Sequence, residues 1–131
     1  MTIGDTIYLN PSSQLVRSGQ AQDLSRTAEG VHTLAHEMNH VRQYQQSGVA
    51  SVFKDAIWQA ARYGQNGAYE YFTRDRSYRD ETLEGQSQIV GDYARYKETG
   101  VLPVYAVDGK RQTIGAAALE RWSSGSGAYG K

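Results

Sequence analysis

The stretch TLAHEMNHVRQ (33–43) places His36 and His40 four residues apart, with Glu37 directly after the first histidine. On an α-helix each residue turns by about 100°, so positions four apart lie nearly in line, one turn from each other. The two imidazoles can therefore aim at a single point. Neutral imidazoles are good ligands for Zn²⁺. Glu37 is offset by one residue, too displaced to be a natural third ligand. It is close enough to act on a water beside the metal, which is the place of the general base in a zinc peptidase. The competing interpretation is a surface helix that carries two solvated histidines.

A metal site needs a further ligand. The remaining histidine, His32, lies eight residues before His40, roughly 12 Å away along a helix axis. It cannot share one small ion with both of the others, and it is expected to pack, to support a neighbour or to be exposed. The chain has no cysteine, so a carboxylate must complete the set, as in His₂Glu enzymes. The best source is YRDETLEGQSQIVGDYARY (78–96). Read as a helix, it puts Leu83, Ile89, Val90, Tyr93 and Ala94 on an apolar side. Glu84 flanks that side in line with Ser87 and Gly91, whose small size lets another helix come close. Glu81 is expected to point further round, toward solvent, and Asp80 to be the N-cap. The candidate ligands are thus His36, His40 and Glu84, with Glu81 the alternative to Glu84, and Glu37 is the candidate base. Gln43, Glu29 and Asp92 are possible partners for the far ring nitrogens of the histidines. Tyr69, Tyr71, Tyr78, Tyr93 and Tyr105 are candidate oxyanion donors.

These residues must be held by helices. A helix is expected from about Ala28 to Gln46, with Thr27 as N-cap and Gly48 past its end. Val31, Leu34, Met38 and Val41 recur at helical spacing and form its apolar face, with the histidines nearly opposite and facing a cleft. A second helix is expected over Val49 to Tyr63, ended by Gly64 and the turn-like GQNG. A tyrosine-rich loop follows over 68–80, and a third helix over Asp80 to Glu98. TIYL (6–9) reads as a short strand followed by a turn at Asn10-Pro11. Residues 101–114, with Pro103 and Asp108-Gly109, suggest a hairpin, and GAAALERW (115–122) a short helix. The fold class is α+β, mainly α. Residues 1–122 form one domain, and 123–131 a Gly/Ser-rich tail that is flexible by composition.

Composition narrows the function. At 131 residues the chain suits one domain with one core. Its 14 basic and 14 acidic residues balance, and there is no basic block, so neither nucleic acid nor an anionic membrane is an expected partner. No apolar run approaches a membrane-spanning length. MTIGDTIYLN does not have the pattern of a signal peptide. The chain therefore works in the cytoplasm or leaves the cell as part of something larger.

DTIYLN, TLAHEMNHVRQYQQSG, AYEY and LEGQSQIVGDY together resemble a family of small bacterial zincins. In these a strand precedes a helix of the form L-x-H-E-x-x-H-x-x-Q-x-Q-x-G, and a later helix carries a glutamate. The likeness spans roughly residues 5–96 and is similar to the metallopeptidase domains of contractile injection systems and to toxin tips of type VI spike and Rhs proteins. It implies a zincin-like active-site helix with a His₂Glu zinc site: His36 and His40 match the zinc histidines, Glu37 the base and Glu84 the downstream carboxylate. Two positions depart from the pattern, Asn39 before the second histidine and Gly85-Gln86-Ser87 after Glu84. The implied activity is hydrolysis of a peptide bond by an effector or toxin. Such a protein would be cytoplasmic in its producer and secreted without a signal peptide, to act in a target-cell periplasm or a host cell. A protein or peptide substrate, a secretion-apparatus carrier and an immunity protein would be its partners. The alternative is a zinc-stabilised, non-catalytic cargo or anchoring module of an injection apparatus.

Overall fold

The structure, a computed structural model, describes residues 1–4, 6–9, 12–19, 23–64 and 67–128. It is mainly helical, with two small antiparallel sheets. Strands β1 (Thr2–Ile3) and β2 (Thr6–Ile7) pair with Thr2 opposite Ile7. A one-turn helix α1 (Gln14–Arg17) and a 3₁₀ turn (Leu24–Arg26) lead into α2 (Ala28–Ser47) and α3 (Val49–Tyr63). Three 3₁₀ turns, Gly67–Tyr69, Tyr71–Thr73 and Tyr78–Asp80, break up what the sequence suggests is a plain loop. Helix α4 (Leu83–Thr99), the hairpin β3 (Val104–Val107) and β4 (Lys110–Thr113), and helix α5 (Ala116–Ser123) complete the chain. The expected turn at Asn10-Pro11 and the Gln65-Asn66 part of GQNG lie outside the described residues.

Local chemistry sets the helix ends. Thr27 Oγ1 accepts the Gly30 N–H at 3.0 Å and starts α2. A single residue, Gly48 at φ 81°, separates α2 from α3, a conformation that glycine adopts at little cost. Helix α4 begins later than the sequence suggests. Asp80 is not its N-cap: the Asp80 carboxylate accepts from Ser77 Oγ at 2.9 Å. Thr82 takes the role instead, its hydroxyl accepting the Gly85 N–H at 2.8 Å.

Helices α2 and α4 form the central pair. Their contacts run in opposite directions, His32 to Asp92 and His40 to Glu84, so the helices are antiparallel. The face that α2 buries differs from the expected one. Leu34 and Met38 are 37 % and 50 % exposed, whereas His36, Asn39, His40 and Gln43 are buried with Val41 and Tyr44. The reason lies on α4. Ser87 and Gly91 leave room for a close approach, and a Cβ on Gly91 would sit 2.9 Å from the His32 carbonyl oxygen. At that distance the polar face of α2 finds partners on α4 that its apolar positions cannot replace.

The apolar core lies on the other side of α4. Tyr71, Ile89, Tyr93, Ile114, Leu119 and Trp122 form it, with Tyr71 edge-on to Trp122 at 5.3 Å. Of the Gly/Ser-rich stretch, Ser123 closes α5, buried Ser126 accepts from the Arg42 guanidinium through its carbonyl, and Ala128 packs on the core. Residues 129–131 lie outside the described residues. Among the described residues, no helix is long and apolar enough to cross a membrane.

Candidate metal centre

The α2–α4 pairing brings His36, His40 and Glu84 together. His40 Nε2 is 3.2 Å from His36 Nε2 and 3.0 Å from Glu84 Oε2, and His36 Nε2 is 3.3 Å from the same oxygen. These three atoms are the mutually close donors of a possible metal-binding group. At a metal–ligand distance of about 2.05 Å, two ligands of a tetrahedral ion stand about 3.3 Å apart. The observed separations match the edges of such a tetrahedron.

The hydrogen bonds around His40 fit the same role. Gln43 Nε2 donates to Leu83 O at 3.0 Å and to Gln86 Oε1 at 2.9 Å. Gln43 Oε1 therefore faces His40 Nδ1, 2.8 Å away. An amide oxygen only accepts, so His40 Nδ1 carries the proton, and in the neutral ring Nε2 offers its lone pair to the shared point. Of the proposed helpers, Gln43 alone meets a ligand histidine. Glu29 instead binds Arg95, and Asp92 binds His32. The buried Nδ1 of His36 has no partner among the described residues. Its ring stacks on Tyr69 at 5.7 Å.

The electrostatics reflect three crowded groups. Burial pushes the Glu84 carboxyl up, but the adjoining imidazoles outweigh it and hold the group well below the usual carboxylate range. Burial likewise pushes the His40 imidazole down, and the hydrogen bond and charge of Glu84 reverse this to hold it above its ordinary value. Tyr69 is pushed well above the usual phenol range by burial first, then by Glu84 and Glu37.

Glu81, the alternative ligand, is neither near this point nor turned to solvent. Because α4 starts after it, its side chain folds inward, fully buried, and accepts from Arg74 at 2.7 Å. Arg74 also holds the carbonyls of Gly67 and Ala68, which fixes the turn that carries Tyr69. Gly85 belongs to this arrangement: a Cβ there would lie 2.6 Å from Glu81 Cγ.

Glu37 opens on the same cavity, of about 420 Å³, as the three ligand candidates. Its carboxylate accepts from Thr2 Oγ1 at 2.5 Å and lies 3.3 Å from the Met1 amino group. Strand β1 thus crosses one side of the site, a contact that no sequence spacing signals. Among the candidate oxyanion donors, Tyr69 lines the cavity. Tyr71 and Tyr105 bind Asp92, Tyr78 pairs with Asn39, and Tyr93 lies in the core. Tyr44, which was not a candidate, also lines the cavity.

No family model matches this chain, and neither a curated protein nor a solved structure is significantly similar to it.

Proposed function

We propose that the protein is a zinc-dependent peptidase, with His36, His40 and Glu84 as metal ligands and Glu37 as general base. The observation that carries this reading is the set of three donor atoms 3.0–3.3 Å apart, with a fourth carboxylate on the same cavity. The donors suit the ion: two imidazoles and one carboxylate are a common zinc set in hydrolases. When bound, zinc supplies Lewis acidity, which acidifies water and polarises a carbonyl. The chain's own residues do the rest. Gln43 keeps the His40 ring in the ligating tautomer. Glu37 accepts the water proton and returns it to the leaving amine. Thr2 holds the carboxylate that does so. Tyr69, beside His36, is the phenol placed to donate to a developing oxyanion.

The test is Glu37→Gln. It should retain one zinc per chain and lower kcat/KM on peptides by roughly 10²–10⁴-fold. Unchanged hydrolysis by the variant would remove Glu37 as the base, and no hydrolysis by either protein would remove the peptidase reading.

The Thr2–Glu37 hydrogen bond favours a second reading, in which Glu37 anchors β1 and the metal group serves the fold of a non-catalytic cargo or anchoring module. In that case Glu37→Gln would loosen β1, and neither wild type nor variant would cut any peptide. The role of a delivered effector, acting outside its producer and restrained there by an immunity protein, rests on the motif resemblance alone. Its test is growth arrest when the chain is directed to a bacterial periplasm. The arrest should vanish with Glu37→Ala.

A further inference from the structure

The cavity beside the metal centre has two unlike halves. One holds the histidines and the carboxylates of Glu37 and Glu84. The other is mostly apolar: Val52, Ala56 and Ala60 line it from α3, with Tyr44, Ala68 and Leu83 around them, and the polar residue among them, Gln59, accepts from the Leu83 N–H at 2.8 Å. Val52, Ala56 and Ala60 are four residues apart and so stack along one face of α3. Two of the three are alanines, which keeps the wall low where a valine or leucine would fill the space. No lysine or arginine side chain lines the cavity among the described residues. An acidic group seated against the apolar wall would meet no Lys or Arg side chain there and would lose its hydration without compensation. An apolar side chain would lose water against apolar walls, at a gain of about 25 cal/mol per Å² buried.

We infer that this α3 wall is a substrate subsite, which selects peptides with a bulky apolar side chain next to the bond held at the metal centre and rejects acidic ones. The inference rests on the peptidase reading and adds the substrate class to it. Ala56 and Ala60 set the depth of the subsite. Lengthening either one should shift preference from large to small side chains.

The experiment uses short blocked peptides, identical except at one central position that carries Phe, Leu, Ala or Asp. Binding to zinc-loaded Glu37→Gln is measured by titration calorimetry, and cleavage by zinc-loaded wild type is measured on the same set. The Phe and Leu peptides should bind at least about tenfold more tightly than the Asp peptide, since filling an apolar pocket discriminates by about that much. Ala56→Leu in the same background should erase the advantage of Phe over Ala. Ala60→Phe, at an exposed position of α3, gives the same readout should Ala56→Leu fail to fold. Equal binding of all four peptides, or preference for Asp, overturns the subsite, and so does an unchanged profile in both variants. Apolar-selective binding without cleavage leaves the subsite standing and removes the peptidase reading. Cleavage without apolar preference does the reverse.

Discussion

Two clusters between α2 and α4 each join histidine to a carboxylate, yet they are built for opposite ends. Asp92 is fully buried and amply paired: it accepts from Tyr71 OH at 2.7 Å, from Tyr105 OH and from Arg95 at 3.2 Å, and His32 Nε2 lies 3.0 Å from it. Burial, then the Asp92 charge, pushes the Tyr71 and Tyr105 phenols far up, so both remain protonated donors. A carboxylate with this many firm donors has nothing left to offer a ligand. Glu84 has a side chain 32 % exposed, and it faces His36 Nε2 and His40 Nε2, the latter bearing a lone pair in the neutral tautomer that Gln43 holds. Lone pairs converge there, and a cation or a proton must lie among them. The same helix pair thus provides a sealed strut at one level and a candidate ligand set two turns away. The difference lies in whether the donors bring their own protons.

This contrast sets the expected sizes of effect. Glu84→Ala should weaken zinc binding by more than about 100-fold, exceeding the usual effect of losing a supporting contact. Its metal-free fold should stay intact, and a competition titration with a chelator dye together with circular dichroism checks both. Asp92→Asn should do the opposite. Breaking a buried charge pair costs about 3–5 kcal/mol, seen as a fall in urea midpoint, while zinc content per folded chain holds at the wild-type level. Tyr71→Phe removes one donor from Asp92 and should cost about 1–2 kcal/mol in the same assay. Loss of zinc in Asp92→Asn, or loss of fold in Glu84→Ala, would erase the distinction between the clusters.

The smallest effect concerns pH in the presence of a chelator. Glu84 is depressed below its ordinary 4.5, so its contribution to stability is present above that value and lost as pH falls through the lowered one. His40 is raised above its ordinary 6.5, so its contribution is present below that value and lost as pH rises through the raised one. The Tm difference between metal-free wild type and Glu84→Gln should therefore be largest between pH 4.5 and 6.5. A difference that grows steadily toward alkaline pH would contradict this coupling.

Much of the fold follows from local signals. The α3 ends at Val49 and Tyr63 are marked by flanking glycines, Thr27 caps α2 as its residue type suggests, and Asp108-Gly109 turns the hairpin. The convergence of His36, His40 and Glu84 is legible in the one-turn spacing and in the alignment of Glu84 with Ser87 and Gly91. The buried face of α2 is not, because Leu34 and Met38 make the apolar stripe the better choice until the close approach of α4 is known. The place of Glu81 depends on a helix start three residues later than Asp80, and on Arg74, seven residues away with no periodic relation to it. The Asp92 cluster draws on α2, α4, β3 and a 3₁₀ turn, and a contact of that kind has no signature in any one segment.

Anomalous diffraction at the zinc edge, from crystals of the zinc-loaded protein, puts the account to its most direct trial. One strong peak should lie among His36 Nε2, His40 Nε2 and Glu84 Oε2, with none beside Asp92. A map without a peak there, or with its peak at His32 and Asp92, would contradict it.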